Sequence, residues 1–348
     1  MCLSFFLKGW AQQDRQSSTL ALPVAFYTPE SRWGGGLIGV HNFFLDSTDK
    51  VSPASQVQFG LTFTQNKQFL AYVPFNLFWE ERKWQASGQL GWYNYNYFFY
   101  GVGNDLPEDF EEYYAVNFPR FRLQFTRNLK GPWYIGGRIW ADAFDIPRSE
   151  LDTSGLLIQE IIPGSDGGRV HGGGLKIAYD TRDNVYSSTK GAFVELVVQD
   201  HSNYWLSEYT FSKYRFEAKA FKKIKNTVVA AQLLTIQTTG NVPFNHMGYV
   251  GGSFINRGYY EGRYRDKSML SGQVEVRFDI YRKFSGVAFG SVGVVGGAPQ
   301  ELAFNNSRFA GGGGVRYDLD EKKGVKIRLD YALGKESTGF YLTFGEAF

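Results

Sequence analysis

Along most of this chain, apolar and polar residues alternate one for one. In "VEVRFDIY", Val274, Val276, Phe278 and Ile280 fall on one face and Glu275, Arg277 and Asp279 on the other. "KIRLDYA" repeats the arrangement, with Ile327, Leu329 and Tyr331 opposing Lys326, Arg328 and Asp330. "SKYRFEAKAF" sets Tyr214, Phe216, Ala218 and Ala220 against Lys213, Arg215, Glu217 and Lys219. Period two marks strands, whose successive side chains point to opposite faces. The pattern runs from about Leu20 to the last residue, and no segment reads as an amphipathic helix. It predicts about sixteen strands at roughly 20-residue spacing, as in a membrane barrel with short turns and longer loops. They begin near Leu20, Gly34, Ser55, Lys67, Lys83, Glu112, Pro132, Arg169, Gly191, Tyr209, Thr227, Met269, Phe284, Arg308, Gly324 and Thr338. An even number suits a closed antiparallel barrel with both termini on one side.

The fold class read from this is all-β, a transmembrane antiparallel barrel. In a soluble sandwich the charged face would meet water and the apolar face a core. Aromatic clusters such as "FNLFWEERKW" and "GWYNYNYFFYGVG" argue for the membrane, where rings near strand ends form interfacial girdles. "EKKG" (321–324), "TQNK" (64–67) and "KKIKN" (222–226) read as tight turns. "GNDLPEDFEE", "RSELDTSGLLIQEIIPGSDGG" and 240–266 read as long loops.

Composition agrees. The 348 residues include 41 Gly, 31 Phe and 22 Tyr, a β-rich balance, and no linker or charge block divides the chain. No apolar stretch approaches the roughly 18 residues of a spanning helix, but a spanning strand needs only about 9 to 11. A net charge of +3 without a basic stripe argues against nucleic acid. The single cysteine, Cys2, excludes an internal disulfide. "MCLSFFLKGWAQQ" resembles the end of a secretory signal peptide cleaved after Ala11, although the basic leading region is missing. Residues 1–19 are therefore read as a signal remnant and short periplasmic N-terminus, and 20–348 as the barrel.

Chemistry gets little support. His41, His171, His201 and His246 are far apart and lack metal-ligand spacing, and there is no Gly-x-Ser-x-Gly elbow. No catalytic residue, metal or cofactor is expected, and the protein is read as not an enzyme. The glycine clusters 34–36, 172–174 and 311–314 lack the Lys-Ser/Thr of a phosphate loop and suit sheet curvature or close packing. The stretch "YVGGSFINRGYYEGRYRD" (249–266) is different. Arg257, Arg263 and Arg265 with Glu261 and Asp266 have no purpose in a solvent loop, but a loop folded into a polar lumen would use them.

These residues resemble the BamA/TamA-type outer-membrane barrels of the bacterial surface antigen superfamily. Gly251-Gly252 with Asn256-Arg257-Gly258-Tyr259 is similar to the sixth extracellular loop's signature, and "AYDTRDNVYSSTKG" to a strand-turn element. "VEVRF" is similar to the E-x-R strand, "GVKIRLDYALG" to the penultimate strand, and "FYLTFGEAF" to a C-terminal signal strand bearing Phe344 and Phe348. "LALPVAFYTPESRWGGGLIG" resembles the first hairpin. The resemblance implies that Arg257, Gly258 and Tyr259 anchor the loop in the lumen, with Glu275, Arg277, Asp279 and Asp330 as partners. Ser291 stands where the family carries an acidic residue, which leaves Glu275 as the leading partner of Arg257. Family members that fold or translocate proteins carry POTRA domains before the barrel, and only about 20 residues precede the first strand here. The function implied is an accessory or partner-dependent role in outer-membrane protein or lipid assembly. Its partners would be outer-membrane lipids and separate outer-membrane or periplasmic subunits, and a homodimer is allowed. A passive channel and a barrel-embedded hydrolase are the alternatives.

Overall fold

A computed structural model describes residues 16–28, 32–107, 110–148, 151, 155–320 and 324–348. The signal-like stretch ending at Ala11 lies outside them. Sixteen strands form one antiparallel sheet in which each strand pairs with the next along the wall. The first eight are β1 (Ser18–Thr28), β2 (Arg32–Phe43), β3 (Ser55–Thr64), β4 (Phe69–Trp79), β5 (Trp84–Phe99), β6 (Glu112–Lys130), β7 (Trp133–Phe144) and β8 (Gly168–Asp180). The wall continues through β9 (Gly191–His201), β10 (Phe211–Ile224) and β11 (Thr227–Gly240). It ends with β14 (Ser268–Tyr281), β15 (Phe284–Gly296), β16 (Arg308–Asp320), β17 (Val325–Gly334) and β18 (Ser337–Phe344). Every wall strand starts within two residues of its expected position. Between β11 and β14 a two-stranded hairpin, β12 (Gly248–Val250) and β13 (Tyr264–Asp266), forms a separate sheet. Among the described residues no ladder joins β1 to β18.

Burial turns the usual logic of a soluble protein inside out. On β14, Val274, Val276, Phe278 and Ile280 are exposed, whereas Ser271, Gln273, Glu275 and Arg277 are buried. On β17, Leu329, Tyr331 and Leu333 face out and Arg328 and Asp330 face in. In water this arrangement would be strongly unfavourable, because it exposes apolar area and desolvates charge. In lipid it is favourable, since hydrocarbon covers the apolar face and the lumen keeps the polar one. The two-residue period therefore makes a membrane barrel, not a sandwich.

Aromatic side chains cluster at both ends of the outer surface. Trp133 packs on Tyr179 and Phe284 on Tyr317 at the turn end, while exposed Trp33, Phe63 and Phe340 mark the loop end. "GWYNYNYFFYGVG" divides differently from expectation. Trp92 faces outward, but Tyr93, Phe99 and Tyr100 are buried. Phe99 belongs to an apolar cluster with Phe144, Leu157, Val242 and Phe244, in which described residues of the connections after β5, β7 and β11 pack together at one end of the wall. Long connections share that end, and tight turns at 80–83, 131–132, 225–226 and 282–283 share the other. The "TQNK" turn falls on the long-loop end, and the connections 44–54 and 181–190 are the longer ones at the turn end, so the alternation is incomplete.

Candidate functional site

The loop 241–267 turns inward. Its β12–β13 hairpin pairs Gly248 with Asp266, Tyr249 with Arg265 and Val250 with Tyr264. The tip then runs down the lumenal face of β14 to β17. Asn256 bonds through Nδ2 to the Arg308 carbonyl and accepts from the Ser271 hydroxyl.

Arg257 follows and is fully buried. One terminal nitrogen donates to Asp330 Oδ2 at 2.5 Å and the other to Glu275 Oε1. Its Cζ sits 3.5 Å from the ring centre of Phe289. A guanidinium taken out of water is costly unless its charge is paired, and the fork to two carboxylates pairs both terminal nitrogens, while Nε has no hydrogen-bond partner among the described residues. Gly258 has φ of +118°, a left-handed conformation that a side chain disfavours, and a Cβ there would lie 2.9 Å from the Leu333 carbonyl carbon. Its N–H donates to the Tyr341 hydroxyl at 2.9 Å. Tyr259, also buried, donates to the Phe309 carbonyl at 2.8 Å and accepts from Lys335 N at 3.0 Å. Three consecutive loop residues thereby reach β14, β15, β16, β17 and β18.

The two carboxylates are shared. Glu275 also accepts from Arg277 Nε at 2.9 Å, and Asp330 from Arg316 at 2.5 Å, with Arg328 Nε 3.6 Å away. Arg316 reaches on to Glu346 at 2.9 Å, which lies 3.7 Å from Lys326. Arg328 spans to the Ser253 carbonyl at 2.8 Å and Thr343 Oγ1 at 2.6 Å. The result is a continuous ionic network linking loop, wall and C-terminal segment.

Several residues stand apart from the sequence reading. Asp279 is exposed near the β14–β15 turn and is not among the carboxylates that meet Arg257 among the described residues. The last strand ends at Phe344, so Phe348 is not part of it. Gly345 N bonds to the Lys326 carbonyl, Glu346 enters the arginine cluster, and Phe348 stands 6.4 Å from the lumenal Phe221 ring. Arg277 donates to the Phe348 carbonyl at 2.9 Å. Ser291 bonds to the Ala310 carbonyl at 3.4 Å and faces Gln273 across the ladder. Arg263 and Arg265 serve the loop end instead of the wall carboxylates. Arg263 packs 4.3 Å over the Tyr100 ring, and Arg265 bonds to the Gly262 carbonyl at 3.1 Å. Sequence reasoning missed Phe289, Arg316, Arg328 and Glu346. For Phe289, Arg316 and Arg328 the only signal was a charged or aromatic residue on a lumenal strand face, and Glu346, beyond the last strand, carried none.

Among the described residues no cluster of His, Cys, Asp and Glu could hold a metal. The arrangement clamps the loop segment against the wall.

The Omp85 superfamily domain model matches residues 172–348, just over half of the chain and all of this network. No curated protein sequence matches. The fold is similar to that of BamA from Haemophilus ducreyi lacking POTRA domains 1–3, at 10% identity and a TM-score of 0.59, over 94% of this chain and 69% of that one. It is also similar to CdiB from Acinetobacter baumannii, at 10% identity and a TM-score of 0.56, over 94% of this chain and 59% of that one. Identities this low speak for the fold alone. With the family match across the ionic network and a sixteen-stranded wall around an inward loop, the chain belongs to the Omp85 superfamily as a β-barrel of the bacterial outer membrane.

Proposed function

We propose that this barrel takes part in assembling or translocating protein or lipid at the outer membrane, in partnership with segments or subunits outside the described barrel that recruit the cargo. The observation that carries this reading is the clamped loop. A buried arginine held by two wall carboxylates and an aromatic ring fixes the loop inside the barrel, which suits a barrel that handles cargo better than a wide, steadily open pore. Among the described residues no ladder joins β1 to β18, which supports the same reading, since a strand edge outside a ladder is a template for a further strand. The guanidinium of Arg257 is the anchor, Glu275 and Asp330 receive it, and Gly258 lets the backbone pass close to β17.

Co-purification from native outer membrane tests the proposal. A bound secretory subunit, or a barrel caught during assembly, is the expected result. An isolated monomer or homodimer with large, steady single-channel conductance would favour the passive channel instead.

A further inference from the structure

The lumenal wall away from the clamp does not balance its charges. On β6, Arg120 and Arg122 both address Asp142 of β7, at 3.5 and 2.7 Å. On β10, Arg215 takes Glu195 and Glu217 at 2.7 and 2.9 Å, and those two carboxylates are further shared with Lys176 and Lys219. Arg138 and Lys213 then have no carboxylate partner among the described residues, and Lys213 donates to the His246 carbonyl at 3.0 Å.

The surplus concentrates around Trp140. Arg122 Cζ lies 3.4 Å and Arg138 Cζ 4.9 Å from its ring centre, so both guanidiniums gather at one platform. The indole Nε1 and Arg122 Nε are buried donors with no hydrogen-bond acceptor among the described residues, and Arg120 Nε has only the 3.5 Å approach to Asp142 Oδ1. Arg122 and Arg138 also line a cavity of about 280 Å³ together with Asn76, Ser87, Gln89 and Gln124, whereas Trp140 and Arg120 are not part of its lining. Water satisfies neutral donors, but a net positive field in a walled cleft concentrates anions. Forked guanidinium donors match an oxyanion bearing several oxygens better than a halide.

The geometry points to a lumenal binding site for a soluble, multivalent oxyanion of the phosphate type, held between Arg122 and Arg138 with the amides of Gln89 and Gln124 around it. The site is independent of the assembly reading, because its ligand is tested without cargo or partner.

The test is titration of inorganic phosphate into the full chain in phosphatidylcholine nanodiscs, followed by 31P NMR or calorimetry. Saturable binding is expected, weakened about tenfold by Arg138→Gln, which removes charge-assisted hydrogen bonds. Lys223→Gln, at the exposed turn end of β10, should leave it unchanged. Arg138→Lys keeps the charge but loses the fork, so intermediate binding is expected, and it serves if the glutamine variant fails to fold. Absence of saturable binding, or equal weakening by Arg138→Gln and Lys223→Gln, overturns the site. Repeating the titration in phosphatidylglycerol nanodiscs separates the sources. Unchanged affinity supports the soluble ligand, and loss of phosphate binding there assigns the cavity to lipid headgroups and overturns it.

Discussion

Arg257 stands over Phe289, its guanidinium carbon 3.5 Å from the ring centre, while its nitrogens hold Glu275 and Asp330. Phe289 is the cross-strand neighbour of Glu275, so the wall presents a carboxylate and an aromatic face side by side to one cation. Exchanging Phe289 for Leu keeps apolar volume and removes the ring's attraction for the cation. The expected loss is about 0.5–2 kcal/mol of loop docking, read as faster protease cleavage within 249–266 while the barrel stays folded.

Removing the arginine itself acts on the loop more than on the wall. In Arg257→Ala, Glu275 keeps Arg277 and Asp330 keeps Arg316, so neither carboxylate is stranded. Two charge-assisted hydrogen bonds disappear, a loss of about 3 kcal/mol or more. The variant should fold to a heat-modifiable barrel whose conductance in planar bilayers rises above that of the parent. Arg257→Lys should behave similarly, because an ammonium cannot fork between the two acids.

Gly258→Ala tests the close passage of the backbone. The left-handed φ of +118° and the approach to Leu333 leave no room for a methyl group, and strain of this kind costs about 1–3 kcal/mol. Loop docking should weaken, and the amide of residue 258, which bonds to Tyr341, should exchange its hydrogen faster.

The segment beyond β18 is pH-dependent in a defined direction. Burial opposes the charge on Glu346, but Arg277, Arg316 and Lys326 outweigh it and hold the carboxyl at about 2, below its ordinary 4.5. A lowered value in the docked state means that the undocked segment binds the proton more readily. Docking is therefore full above about 4.5 and is lost as pH falls towards 2. A 19F label on the Phe348 ring should report this transition, and Glu346→Gln should abolish it.

Much of the wall was legible in the sequence because a strand's two-residue period is local. The starts of β14 and β17, and the inward set of Glu275, Arg277 and Asp330, follow from alternation alone. The expectation that Arg257 meets Glu275 came from the family resemblance of the loop and from Ser291 at the position where the family carries an acid, not from alternation. Which further residues join them depends on register and stagger across several strands. Asp279 and Glu275 share a face of β14, yet the three residues between them carry Asp279 out to the turn end. Phe289, Arg316 and Glu346 come to the same spot only once the sheet is curved around the loop. The inward turn after Phe344 was hidden for another reason: a strand-like apolar ending gives no sign that Glu346 has three cations waiting in the lumen.

Site-specific photo-crosslinking from β1 in living cells tests the assembly role most directly. With a crosslinker at Leu22, the expected adducts are to other outer-membrane or secreted polypeptides, increasing when Arg257→Ala releases the loop. A β1 edge that yields no protein adduct in either form, in cells where the purified barrel conducts ions steadily, would contradict the account.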